Sequence, residues 1–264
     1  MNNIKDSVKD AITEIINYTF SEETVNRVRQ VHEAKIHFVP TRYRILGGLL
    51  QSLNIKFGNF IERLIALVIK RDPKVEFLPL SGKRAKLSMS AETDALIDRY
   101  ITSRQLPESP NQCDKLFEDL LRNIIHLERN TKGNKQAITK DIDALFKLAS
   151  GQVVYLEIKY NDDHDTGKFV DINRKLIKTY AGLVNALEIK DVESLKPILY
   201  YFNPVKRWEP IYIPSSNIYR GSELFDAFFE TRFQDIENYL RQLEDEEEVI
   251  SIFDDLYCRI RYRT

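Results

Sequence analysis

Four charged residues on two neighbouring stretches carry the chemistry this chain could do. Asp141 and Asp143 lie in KDIDALFK, and Glu157 and Lys159 follow in VVYLEIKY. Both stretches alternate apolar and polar residues with the period of two that a strand imposes, and Leu148 to Gln152 between them has the length of a hairpin loop. Ile142, Ala144 and Phe146 on one strand, with Val154, Leu156 and Ile158 on the other, then point to one face, the expected core. If Lys147 pairs with Val153, Asp143 falls opposite Glu157 and Asp141 opposite Lys159. Opposed side chains sit about 5 Å apart, where two like charges destabilise the pair unless something compensates. A divalent cation is the natural compensator. Two carboxylates, with water and phosphate completing the shell, describe a magnesium site, and Lys159 reaches the same spot. Either Asp could be the first ligand; Asp143 is favoured because it stands opposite Glu157 and directly before Ala144-Leu145-Phe146.

Elements on both sides must hold that hairpin. Ile4, Val8, Ile12 and Ile15 recur at helical spacing, and Ser21 with Glu23 and Thr24 marks the start of a second short helix. The strongest helical stripe runs from Tyr43 to Lys70 and ends at Asp72-Pro73. Its glycines 47, 48 and 58 predict a break near Asn54 or Gly58, since glycine inside a helix costs about 1 kcal/mol. Lys74 to Leu80 reads as a short strand, followed by a polar loop around Ser81-Gly82-Lys83-Arg84. Helices are expected over Ala91 to Thr102 and Cys113 to Leu127, with the proline-containing stretch Leu106 to Gln112 between them. Past the hairpin come a polar loop from Asn161 to Lys168, an amphipathic helix over Ile172 to Leu187, a buried strand over Pro197 to Phe202 and a short one over Ile211 to Pro214. A last long helix, capped by Ser222 and reaching about Leu243, carries a stripe of phenylalanines.

Composition narrows the classes. With 264 residues, 43% hydrophobic and 30% charged, the chain can bury a core, which excludes disorder and low complexity. No run approaches the roughly 18 uncharged apolar residues of a membrane helix, and the N-terminus lacks a basic end followed by an apolar stretch, so the expectation is a cytoplasmic protein. Cys113 and Cys258 form no CxxC pair, and with four scattered histidines they support neither a disulfide framework nor a structural zinc site. A net charge of −1 excludes a polycationic DNA coat but leaves room for a local basic face. Candidates for such a face are Lys83, Arg84 and Lys86, then Lys168, and then Arg174, Lys175 and Lys178 on the helix after the hairpin. Lys206-Arg207-Trp208 reads first as a sharp turn anchored by Trp208. His164 reads as a solvated loop histidine ahead of a phosphate contact or a base.

An Asp on one strand and Glu-x-Lys on the next, followed by a helix and a buried strand, resembles the PD-(D/E)xK nuclease superfamily. Here the pattern is Asp143 and then Glu157-Ile158-Lys159, without the proline that usually precedes the Asp. The resemblance implies that Asp143 and Glu157 hold Mg2+, that the Ile158 carbonyl joins them, and that Lys159 positions or activates the attacking water. It also implies a supporting acid from a preceding helix, for which Glu62 qualifies by sharing a helical face with Ile55, Gly58, Ile65 and Ile69. The stretches YRILGGLLQSLNIKFGNFIE, ETDALIDRYI, KLIKTYAGLV and IYRGSELFDAFF are similar to type II restriction endonucleases of the TdeIII group.

That likeness implies a homodimer cutting both strands of double-stranded DNA at a short or interrupted palindrome, GGNCC for that group. A cognate DNA methyltransferase would act on the same site without needing to bind the enzyme. The expected architecture is α/β: one domain with a small, mostly antiparallel mixed sheet flanked by helices and extra helices at both termini. Residues 1–42 would be a helical lead-in, 43–205 the catalytic core and 206–264 a C-terminal strand and helices. The rivals are a structure-selective repair or junction nuclease of the same core and a non-catalytic DNA-binding protein.

Overall fold

The computed structural model describes residues 2–105, 112–131, 133, 135–206 and 208–262, so most of the stretch from Leu106 to Gln112 and Arg207 lie outside the described residues. The chain forms two compact units, Met1–Leu64 with Phe233–Thr264 and Ile65–Arg232.

The first unit is helical: α1 (Asn2–Thr19), α2 (Glu22–Glu33), most of α3 (Thr41–Arg71), and the late helices α8 (Phe233–Glu244) and α9 (Glu247–Tyr262). Ser21 caps α2 as its sequence predicts, its side chain accepting from the Thr24 N–H. Ile16, Phe20, Ile45, Leu49, Leu256 and Ile260 form the core. The break expected inside α3 does not occur. Gly48 is there for a close approach: a Cβ on it would stand 2.6 Å from His32 Nε2 and 3.0 Å from Val28 Cγ1, so α2 can lie almost on the α3 backbone.

The second unit is built on a five-stranded sheet of β1 (Val75–Phe77), β4 (Ala144–Leu148), β5 (Val153–Asn161), β6 (Leu195–Asn203) and β7 (Ile218–Arg220), in the order β1-β4-β5-β6-β7. The β1–β4 and β4–β5 pairs are antiparallel, and β5–β6 and β6–β7 are parallel, so the sheet is mixed in equal parts. A parallel neighbour needs a crossover, and α6 (Thr166–Ala186) supplies it between β5 and β6. Both faces of this sheet are buried. Leu145, Tyr155, Leu199 and Tyr201 join a core with α4 (Ala91–Ser103), α5 (Cys113–Asn130) and α6, while on the other face the Phe146 ring packs 5.8 and 5.5 Å from those of Phe228 and Phe229. The strand PILYYF is accordingly apolar on both sides.

A second, two-stranded sheet lay hidden in the sequence. β2 (Gly82–Ser90) pairs antiparallel with β3 (Lys135–Ile142), and the stretch expected to be a loop around Gly82 is the start of β2, opened by a bulge between Gly82 and Ala85. α6 lies directly on this ribbon. A Cβ on Gly182 would be 2.8 Å from Leu87 Cδ1, so only glycine lets the helix come so near.

Three other expectations change. α6 starts six residues before Ile172, capped by Asp165, whose Oδ1 accepts from the Lys168 N–H at 2.8 Å. Residues 211–214 form no strand; β7 stands at Ile218–Arg220 instead. The last long helix is divided into α7 (Ser222–Phe228), α8 and α9, and α7 has Gly221, at φ 50°, as its N-cap in place of Ser222. The division after α7 has a cause: the buried Asp72 carboxylate accepts from the backbone N–H groups of Glu230 and Thr231 at 2.8 and 3.1 Å, which a continuing helix would have used itself.

Candidate active site

The β4–β5 hairpin has the register that its alternation predicts, with Lys147 opposite Val153 and Ala144 opposite Leu156. At Asp143 the chain leaves the ladder, and the Asp143 side chain takes its place: Oδ2 accepts from the Ile158 N–H at 2.8 Å. This holds the carboxylate at the edge of β5 beside Glu157, whose residue is completely buried.

Three donors converge on Glu157. Lys159 Nζ and Lys175 Nζ lie 2.6 and 2.7 Å from its Oε1, and the Tyr155 hydroxyl donates to Oε2 at 3.0 Å. Both ammonium groups also face Asp143, Lys159 at 3.8 Å from Oδ2 and Lys175 at 3.6 Å from Oδ1. Two cations thus compensate the two carboxylates. Burial, with the Glu157 and Asp143 charges adding to it, pushes the Tyr155 hydroxyl well above its ordinary value, so it stays a neutral donor.

Lys159 Nζ bears on the metal question. It donates to Glu157 Oε1 and, at 2.8 Å, to the Ile158 carbonyl, and it faces Asp143, so an ammonium stands where a carboxylate, a carbonyl and a second carboxylate converge. Hard oxygen donors around a cation are the donor set for Mg2+, which binds through one or two carboxylates and keeps water and phosphate in its other positions. Among the described residues no group of three or more His, Cys, Asp or Glu side chains could hold a metal; the arrangement here has two carboxylates and a carbonyl.

The model of one protein family, "Type II restriction endonuclease, HinfI", matches residues 1–244. The chain is 44% identical over 261 residues to the type II restriction enzyme HinfI of Haemophilus influenzae, covering 97% of each protein. It belongs to the HinfI family of type II restriction endonucleases. No solved structure matches it. Membership in the HinfI family makes it an endonuclease and makes double-stranded DNA its substrate class. No helix among the described residues is long and apolar enough to cross a membrane.

Within this HinfI-family chain the other expected residues go to different places. Asp141 is exposed in β3, and its Oδ1 accepts from the Arg84 N–H at 2.7 Å, at the bulge where Arg84 has φ 59°; the pairing of Asp141 with Lys159 is not realised, because Ile142 already pairs with Gly82 in the other sheet. Glu62 lies half-buried on the part of α3 that belongs to the first unit. Lys83 follows Gly82 in β2 with its side chain outside the described residues, Lys86 is exposed in β2, and Lys168 is exposed in the first turn of α6.

Arg174 and Lys178 face α4. Arg174 pairs with Asp98 at 3.3 Å and Asp171 at 2.8 Å, and Lys178 pairs with Asp94 at 2.6 Å and Asp98 at 3.1 Å. Lys175, a candidate for the DNA side with them, sits in the carboxylate cluster. His164 is not solvated: it is buried and stacks 5.7 Å from the Trp208 ring and 6.0 Å from those of Phe169 and Tyr201, and burial, helped by Lys168, lowers its pKa. Trp208 anchors the turn as expected, its ring 4.7 Å from Phe169 and its N–H on the Asp162 carbonyl. Asp162, which the sequence did not single out, is buried and holds that turn by accepting from the N–H groups of Val205 and Lys206.

Proposed function

We propose that this protein is a Mg2+-dependent, site-specific endodeoxyribonuclease that hydrolyses both strands of double-stranded DNA at a short or interrupted palindrome and acts as a homodimer. Two-fold symmetry of the protein would match that of the site. The observation that carries the reading is the convergence of Glu157, the Ile158 carbonyl and Asp143 on one cation position occupied by Lys159 Nζ. Asp143, Glu157 and the Ile158 carbonyl are the residues that would hold the metal.

Hydrolysis joins a water oxygen to phosphorus and breaks one P–O ester bond, leaving a phosphate monoester and a hydroxyl. Magnesium, when bound, supplies polarisation of the phosphoryl oxygen and lowers the pKa of the attacking water. The chain supplies the rest. Lys159 orients the water and offsets the charge that develops on the phosphate, as a cation placed in advance does best in a site that excludes bulk water. Asp143 is kept in place by the Ile158 N–H, and Tyr155 fixes the rotamer of Glu157. Lys168, exposed at the start of α6, is offered to the DNA backbone.

The purified chain is incubated with unmethylated phage DNA and Mg2+ at low salt, alongside EDTA and Lys159→Ala controls. Discrete bands, lost in both controls, are the expected result, and the fragment ends read out the site, GGNCC being the sequence that the TdeIII likeness implies. A smear would replace the reading with a structure-selective or non-specific nuclease, and intact DNA with a non-catalytic DNA-binding protein.

A further inference from the structure

One cation beside the cluster has no carboxylate of its own. Lys140 is half-buried on β3, three residues before Asp143, and among the described residues it makes no ion pair or side-chain hydrogen bond. Its direction follows from its strand neighbours. Ile138 meets α6 at Gly182, where an added Cβ would lie 3.4 Å from Ile138 Cδ1, and Ile142 is in the core, so alternation turns Lys140 to the same side. One helical turn before Gly182 on α6 stands Lys178, and Lys175 one turn further.

Burial, helped by Lys178 and Lys175, lowers the pKa of Lys140, and Asp94 and Glu157 oppose it. Both acids are already engaged: Asp94 with Lys178 at 2.6 Å, Glu157 with Lys159 and Lys175 at 2.6 and 2.7 Å. A half-buried ammonium turned toward the helix that carries Lys175 and Lys178, with neither Asp94 nor Glu157 bound to it, is unfavourable in the free protein. It becomes favourable when an anion arrives. The anion that this enzyme family brings to the cluster is a DNA phosphate.

We infer that Lys140 is a substrate-binding residue of this active site that donates to a non-bridging phosphate oxygen of the strand being cut. This rests on the reading of Asp143, Glu157 and Lys159 given above. Lys175 then serves the carboxylates, Lys159 the carboxylates and the attacking water, Lys178 and Arg174 tie α6 to α4, and Lys140 joins Lys168 in taking the DNA.

The test compares Lys140→Met, Lys140→Arg and Glu157→Gln. Loss of one charge-assisted contact lowers kcat/KM by about tenfold to a hundredfold in Lys140→Met, and Lys140→Arg regains most of it. In EDTA, the slope of log binding constant against log salt falls by about 0.9 for Lys140→Met, as expected for one lost phosphate contact. Its melting temperature is unchanged or higher, because the substitution removes a desolvated charge. Wild-type kcat/KM and slope in Lys140→Met, with Glu157→Gln inactive, would overturn this inference alone. A melting temperature that falls in step with activity would make Lys140 a structural residue and overturn it too. Normal cleavage by Glu157→Gln would remove the site reading and this inference with it.

Discussion

Glu157→Gln changes a charge and almost nothing of the shape. In the native site the carboxylate takes Lys159 and Lys175 on Oε1 and the Tyr155 hydroxyl on Oε2. Glutamine keeps a carbonyl for the two ammonium groups, and the Tyr155 hydroxyl turns from donor to acceptor toward the new NH2. Each lysine contact loses its charge assistance, worth about 1 kcal/mol beyond a neutral hydrogen bond. Two contacts make about 2 kcal/mol, and the side-chain exposure of the lysines, 22% and 31%, places the loss at or below that figure because water screens them. The variant therefore folds, with a modestly lowered melting temperature. Cleavage falls by at least about a hundredfold, the size that removing one preorganised electrostatic group produces. On the proposed reading, Mg2+ at about 100 times its dissociation constant should stabilise the native protein by about 2.7 kcal/mol and leave the variant nearly unmoved. Single-turnover cleavage across Mg2+ concentrations, thermal melting with and without the ion, and DNA binding in EDTA give the three readouts. A folded Glu157→Gln that cuts DNA within tenfold of the native rate would refute the assignment.

Two further expectations concern the scaffold. The pKa of His164 is lowered by burial below its ordinary 6.5, so the unfolded chain takes up a proton that the folded one resists; stability is full above about pH 6.5 and declines as pH falls below it. In His164→Phe, which keeps the ring stack, urea midpoints measured from pH 7 to pH 5 should decline less steeply, and an unchanged slope would mean that His164 does not titrate across folding. Gly182→Ala forces a Cβ to 2.8 Å from Leu87 and should cost about 1–3 kcal/mol, whereas Gly47→Ala, with nothing within 4 Å, should gain about 0.4–1 kcal/mol of helix stability. Equal melting temperatures for the two variants would contradict the packing of α6 on the ribbon.

The hairpin was legible because its determinants are local: alternation sets the faces, and the loop from Leu148 to Gln152 sets the register that brings Asp143 to Glu157. Tyr155 was legible too, since alternation places it on the face of Glu157, although its hydroxyl gained a role only with the geometry. What alternation could not reveal is where a strand changes partner. The stretch KDIDALFK reads as one strand, yet its first half belongs to β3, because β2 pairs with it from more than fifty residues away. β2 is rich in Lys and Ser and opens at a glycine, so it passes for a loop until β3 is beside it.

Ile142 stands where the nuclease pattern has a proline, and it is the last rung of the β2–β3 ladder, opposite Gly82. The contact of Lys175 with Glu157 was not legible either: the azimuth of a helical residue depends on how the helix docks, and α6 is docked by Gly182 against Leu87, a contact between elements nearly a hundred residues apart. The pair of sheets parting at Asp143 is thus what makes the site. The backbone leaves β3 and enters β4, and between them the Asp143 side chain accepts from the Ile158 N–H of β5, which fixes its carboxylate beside Glu157.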